Sequence, residues 1–170
     1  MGDRSPLFPE IEELPRLSSN CFTGPVGRDY DAYVRCKLKL GAKDPFVYFV
    51  ILMDGKRLVP IDRFLGQDCQ GILYIGSAVA HGTQRVRGWL VEASNCSNAA
   101  TTESWPSRFF WKCIKPKKAE WHIGVVGVQV DTTGFGNQEV IRKCTYKKEL
   151  DYRQRYREKF GEYPPFNRQK

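Results

Sequence analysis

The most constraining feature of the chain is an unbroken apolar run, Phe46-Val47-Tyr48-Phe49-Val50-Ile51-Leu52-Met53, preceded by Asp44-Pro45 and followed by Asp54-Gly55. The run is too short and too continuously apolar for an amphipathic helix. Its β-branched and aromatic content predicts a buried strand. Such a strand needs paired neighbours and a covering layer, so the rest of the chain must supply a sheet and helices to pack on it.

Two further stretches suit neighbouring strands. Ile72–Ser77 follows a long connection over residues 56–70 that contains Pro60 and Gly66, and His122–Val130 is rich in Val with Gly124 and Gly127 for close packing. The Asp54-Gly55 turn signal favours an antiparallel pairing of the first two strands. Helical stripes are expected over 28–40 (Tyr30, Tyr33, Val34, Lys37, Leu38), over 83–93 (Val86, Trp89, Leu90, Ala93) and over 137–160. Asn137 suits an N-cap of the last helix, and Gly161 followed by Pro164-Pro165 suits its end. Residues 1–27 carry four prolines and read as irregular. Residues 94–119 read as an insertion, polar first and then aromatic and basic, with Trp105, Phe109 and Trp111 beside Lys112, Lys115, Lys117 and Lys118. The expectation is an α+β domain over 45–168, preceded by an extension over 1–44 that holds one helix.

At 170 residues the chain fits one domain with a real core. No apolar run approaches the ~20 residues of a membrane span. The opening MGDRSPLFPEIEELPR is acidic and punctuated by proline, unlike a secretory signal, and the expected setting is soluble and cytoplasmic. Six scattered cysteines form no C-x-x-C pair, and only His81 and His122 could join them, which argues against a zinc finger. A net charge of +8 favours a polyanionic partner, because clustered Lys and Arg gain affinity by releasing counterions. Aromatic residues interleaved with the four lysines suit a nucleic-acid face; a helix with buried aromatics and solvated lysines is the competing reading.

Tyr74-Ile75-Gly76 with Ser77-Ala78 after it, Phe46-Val47-Tyr48 upstream, Arg85 and Arg87 shortly downstream, and Glu149 on a late helix that leads to Gly161-Glu162 and Pro164-Pro165-Phe166-Asn167 form an ordered pattern. In that order the residues resemble the GIY-YIG nuclease family. The resemblance covers roughly residues 45–168. It implies a small mixed, mostly antiparallel three-stranded sheet flanked by helices, acting on double-stranded DNA with one divalent ion, Mg2+ or Mn2+. By the same resemblance Glu149 would ligate the metal and Arg85 would hold the scissile phosphate, with Arg87 in reserve. Tyr48 and Tyr74 would place their hydroxyls at the attacking water. His81 stands near enough in sequence to join them, Gly76 shapes the turn, and Asn167 would brace the site. The chain departs from the pattern in four places: the first half-motif lacks its glycine, Gln84 stands where the helical arginine is usual, Gly88 and Trp89 stand where many members carry His or Tyr one turn later, and the stretch from Tyr48 to Tyr74 is long enough to imply an inserted loop.

The functional expectation is therefore a divalent-metal-dependent DNA endonuclease, of restriction type if it reads a short site with its own loops. A restriction enzyme that cuts both strands needs a homodimer or successive nicks. The alternative from a different class is a catalytically degenerate member of the same fold that binds nucleic acid without cutting it. A third is a protein-binding surface at the aromatic 105–111 segment.

Overall fold

The computed structural model describes residues 7–9, 45–54, 57–79 and 121–167. Within these, six strands precede one long helix: β1 (Phe46–Asp54), β2 (Arg57–Leu58), β3 (Ile61–Arg63), β4 (Gly66–Asp68), β5 (Ile72–Ala78), β6 (Trp121–Gln129) and α1 (Gln138–Phe160). The class is α+β. Every described pairing is antiparallel, so the expected mixed character is not seen there. The helices expected over 28–40 and 83–93, and the insertion over 94–119, lie outside the described residues.

The apolar run forms β1, the central strand. It pairs with β6 along its whole length and with β5 over Phe46–Ile51, while the two-residue β2 continues the β5 side at Met53 and Asp54. Three long strands are thus present as expected, with β2 as a short fourth. Every residue from Phe46 to Met53 is buried. On one face Val47, Phe49, Ile51 and Met53 pack with Tyr152, Tyr156 and Phe160 of α1. Phe8 joins them: its ring lies 5.2 Å from Phe49 and 5.3 Å from Tyr152, the latter edge-on at 80°. The segment read as an irregular extension therefore contributes a fully buried side chain to the core. Each such aromatic stabilises the fold by about 1.5–3 kcal/mol through burial alone.

A register shift between Val50 and Ile51 pairs Val50 with Tyr74 but Ile51 with Ile72, leaving Leu73 as the extra residue of a β-bulge. Strict alternation would place Ile72 and Tyr74 on the same face. The bulge instead puts Ile72 into the core with Ile75 and leaves Tyr74 on the opposite face, beside Tyr48.

The helix has the expected limits. The Asn137 side chain accepts from the Glu139 amide at 2.8 Å, and Gly161, at φ 76°, donates its own amide to the Arg157 carbonyl at 2.7 Å. Its inward stripe is Thr145, Glu149, Tyr152, Tyr156 and Phe160, spaced four, three, four and four apart.

Residues 56–70, expected as a plain connection, instead hold β2 and the β3–β4 hairpin. The hairpin is anchored by tertiary contacts. Leu65 donates its amide to the Phe160 carbonyl at 3.1 Å, and the Phe64 amide reaches Glu162 at 2.9 Å. Arg63 pairs with Glu162 at 3.2 Å and donates to the Tyr163 carbonyl. The hairpin thus clamps the end of α1.

Candidate active site

The site is built where the end of β5 meets the middle of α1. Tyr48 and Gly76 are direct partners across β1 and β5, and Tyr74 lies one diagonal step away on the same face. The two tyrosine rings sit 5.9 Å apart. Gly76 lies beneath both. A Cβ there would stand 2.6 Å from Tyr74 Cε1 and 2.7 Å from both Cζ and Oη of Tyr48. The glycine is needed because the two rings occupy the space a side chain would take.

Glu149 approaches the next residue from the helix side of the sheet. It is only 5% exposed, in a stripe it shares with Thr145 and three aromatics. Ser77 Oγ donates to its Oε2, and Arg153, one helical turn on, pairs with its Oε1. The tyrosine pair and the carboxylate therefore converge on the adjacent residues Gly76 and Ser77 from the two faces of β5. Arg153 bridges them along the strand edge. Its Nη2 donates to the Ile75 carbonyl at 3.1 Å and its Nε at 3.3 Å, while the guanidinium carbon lies 5.9 Å from the Tyr74 ring centroid.

Asn167 braces the same strand. Its Oδ1 accepts from the Ile75 amide at 2.9 Å, and its Nδ2 donates to the Ile75 carbonyl at 2.8 Å. With Phe166 donating its amide to the Leu73 carbonyl, the closing segment satisfies the outer edge of β5 as an added strand would.

Among the described residues a second buried carboxylate, Asp68, provides a useful contrast. Its oxygens accept from the Gln70 amide at 2.9 Å, the Ile72 amide at 2.8 Å and the Tyr156 hydroxyl at 3.0 Å. Gln70 in turn exchanges two hydrogen bonds with the Phe8 backbone. Desolvation raises the Asp68 carboxyl above its ordinary value despite these donors, and burial together with the Asp68 charge pushes the Tyr156 hydroxyl up. Three donors from the protein hold Asp68, which makes it a structural group that ties the hairpin, the helix and Phe8 together.

Glu149 differs. Among the described residues each of its oxygens accepts one donor, Ser77 on one and Arg153 on the other, where a carboxylate offers about four lone-pair sites. A Mg2+ ion is commonly held by one or two carboxylates and retains several waters. Glu149 offers a carboxylate of the kind that could ligate such an ion; among the described residues no group of three His, Cys, Asp or Glu side chains gathers around a point.

Of the residues expected at the site, Tyr48, Tyr74 and Gly76 lie together on one face of β5 and Asn167 on its outer edge, while Glu149 lies on the opposite, helix-covered face against Ser77. Arg85, Arg87, His81 and the lysines Lys112, Lys115, Lys117 and Lys118 lie outside the described residues. Sequence reasoning missed Ser77 and Arg153 as partners of Glu149. The available signal was the i, i+4 spacing of Glu149 and Arg153, which places both on one helix flank. Comparisons of the chain with models of known protein families, with curated proteins and with solved structures find no match.

Proposed function

We propose that this protein is a divalent-metal-dependent endonuclease of the GIY-YIG type that hydrolyses DNA phosphodiester bonds. The observation that supports the reading is a long-range one. Ser77, which directly follows Tyr74-Ile75-Gly76, hydrogen-bonds Glu149, a residue 72 positions away that the family pattern singles out for the metal. A tyrosine pair, a buried carboxylate and a guanidinium then share the end of one strand.

Phosphodiester hydrolysis needs a deprotonated water, compensation for charge on the phosphate and a stabilised leaving oxygen. A bound divalent ion supplies Lewis-acid polarisation and charge neutralisation. Glu149 would hold that ion, with Ser77 orienting its carboxylate. By the family pattern the hydroxyl of Tyr48 or Tyr74 would receive the proton of the attacking water, which requires the scissile phosphate to reach around the edge of β5, because both rings lie on the face opposite Glu149. Gly76 leaves room for both rings against the strand, so packing holds them there. Asn167 and Arg153 hold the Ile75 peptide between them and keep the strand end from shifting. The exposed cations of the helix, Arg142, Lys147 and Lys148, add to the positive field that draws a polyanion.

The same cluster accommodates a second reading, a binding module without catalysis, because both oxygens of Glu149 already carry a protein donor. A labelled DNA duplex distinguishes the two. With Mg2+ or Mn2+ the nuclease cuts it and Glu149→Gln does not. The binding module retains it in chelator, weakens with salt and leaves it intact in every metal.

A further inference from the structure

Arg153 occupies the place of a counter-cation. Its guanidinium is paired with Glu149 Oε1, anchored to the Ile75 carbonyl by two donors and set against Tyr74, with its side chain 19% exposed. No other described cation is paired with Glu149. A divalent ion bound at Glu149 and a guanidinium on the same carboxylate repel one another, and in a site this buried the repulsion is only weakly screened. The anchor at Ile75 does not depend on Glu149, so the guanidinium can leave the carboxylate without leaving the site.

Resting on the reading of Glu149 as the metal ligand, we infer that Arg153 is an exchangeable cation: it neutralises Glu149 while no metal is bound, is displaced from Oε1 when a divalent ion binds, and then turns to the anionic phosphate. One positive group thereby serves two sequential tasks. The exchange keeps the buried carboxylate compensated before metal binding, since an unpaired buried charge is strongly destabilising. It supplies a planar donor suited to phosphate afterwards.

The test measures Mn2+ binding to the whole chain without nucleic acid, by the loss of the free-ion electron paramagnetic resonance signal, beside cleavage of a duplex by the same preparations. Arg153→Gln keeps a donor for Ile75 but removes the charge. It is expected to bind Mn2+ about ten-fold more tightly than the wild type, the change that about 1.4 kcal/mol of relieved repulsion produces, while cleaving at least ten-fold more slowly. Arg153→Lys keeps the charge and is expected to bind Mn2+ like the wild type. Unchanged or weaker binding in Arg153→Gln, with binding still lost in Glu149→Gln, overturns the exchange and leaves Arg153 as a brace. Mn2+ binding that survives Glu149→Gln overturns the metal assignment itself. A second readout needs no destabilised variant. The Arg153 side-chain Nε–H resonance of the wild type, assigned by its absence from Arg153→Lys, must shift on saturation with Mg2+, and an unmoved resonance contradicts the proposal.

Discussion

Gly76→Ala tests whether two tyrosines really rest on the strand at the site. The new methyl would lie 2.6 Å from Tyr74 Cε1 and 2.7 Å from Tyr48 Cζ and Oη. Carbon atoms pack best at about 3.5 Å or more, so each ring must retreat by roughly 0.8 Å. The two rings differ in their freedom to do so. Tyr74 is half-buried and can swing outward, whereas Tyr48 is 3% exposed and lies against Phe46, with ring centroids 6.2 Å apart. Overpacking of this kind costs about 1–3 kcal/mol, and the confined ring sets the value near 2 kcal/mol. For a chain of this size that lowers Tm by about 4–8 °C, measured by circular dichroism or calorimetry. Displacing a reacting hydroxyl by a similar distance lowers cleavage by about 100-fold, far more than the loss of folded protein at 25 °C explains. A variant that melts with the wild type and cleaves at the wild-type rate would refute the placement of both rings.

Other perturbations probe the frame around the site. Asn167→Ala orphans the Ile75 amide and removes one donor from its carbonyl, which keeps Arg153; it is expected to cost about 1–3 kcal/mol in chemical denaturation and to slow cleavage through the loosened strand end. Asp68→Asn turns amide hydrogens toward groups that already donate, and is expected to cost about 1–3 kcal/mol at neutral pH. Its pH dependence has a definite sign. The folded Asp68 carboxyl lies above its ordinary value of 3.8, so its contribution is full below that value and is lost as pH rises through the elevated one. The stability gap between wild type and Asp68→Asn must therefore narrow as pH increases, and a gap that widens contradicts the desolvation account. Asn137→Ala removes the acceptor for the Glu139 amide and is expected to lower stability by about 1 kcal/mol, with cleavage unaffected.

What could be read in the sequence was set by how local each signal is. β1 was legible because eight apolar residues in a row have no other soluble fate. The limits of α1 were legible because Asn137 and Gly161 act within a turn of themselves. Glu149 stood out through its place before the closing segment, and the structure buries it against Ser77 and Arg153. The β3–β4 hairpin was not, since Ile61-Asp62-Arg63 and Gly66-Gln67-Asp68 have weak strand propensity and are held by contacts with the distant residues Phe160, Glu162 and Tyr163. Phe8 was hidden for a similar reason, as a single aromatic in a proline-rich stretch carries no periodicity. Arg153 reads in the sequence as one more cation on a solvated helix, and only its approach to Ile75 and Glu149 marks it out.

Metal-dependent DNA hydrolysis is proposed to depend on Glu149. The direct measurement incubates supercoiled plasmid and long linear DNA with the wild type and with Glu149→Gln, across Mg2+, Mn2+ and chelator. Strand breaks that require metal and vanish in the variant are the predicted result, and discrete fragments would add sequence specificity. Intact DNA in every metal, with the protein folded and still bound to it, would contradict the account and leave a binding module.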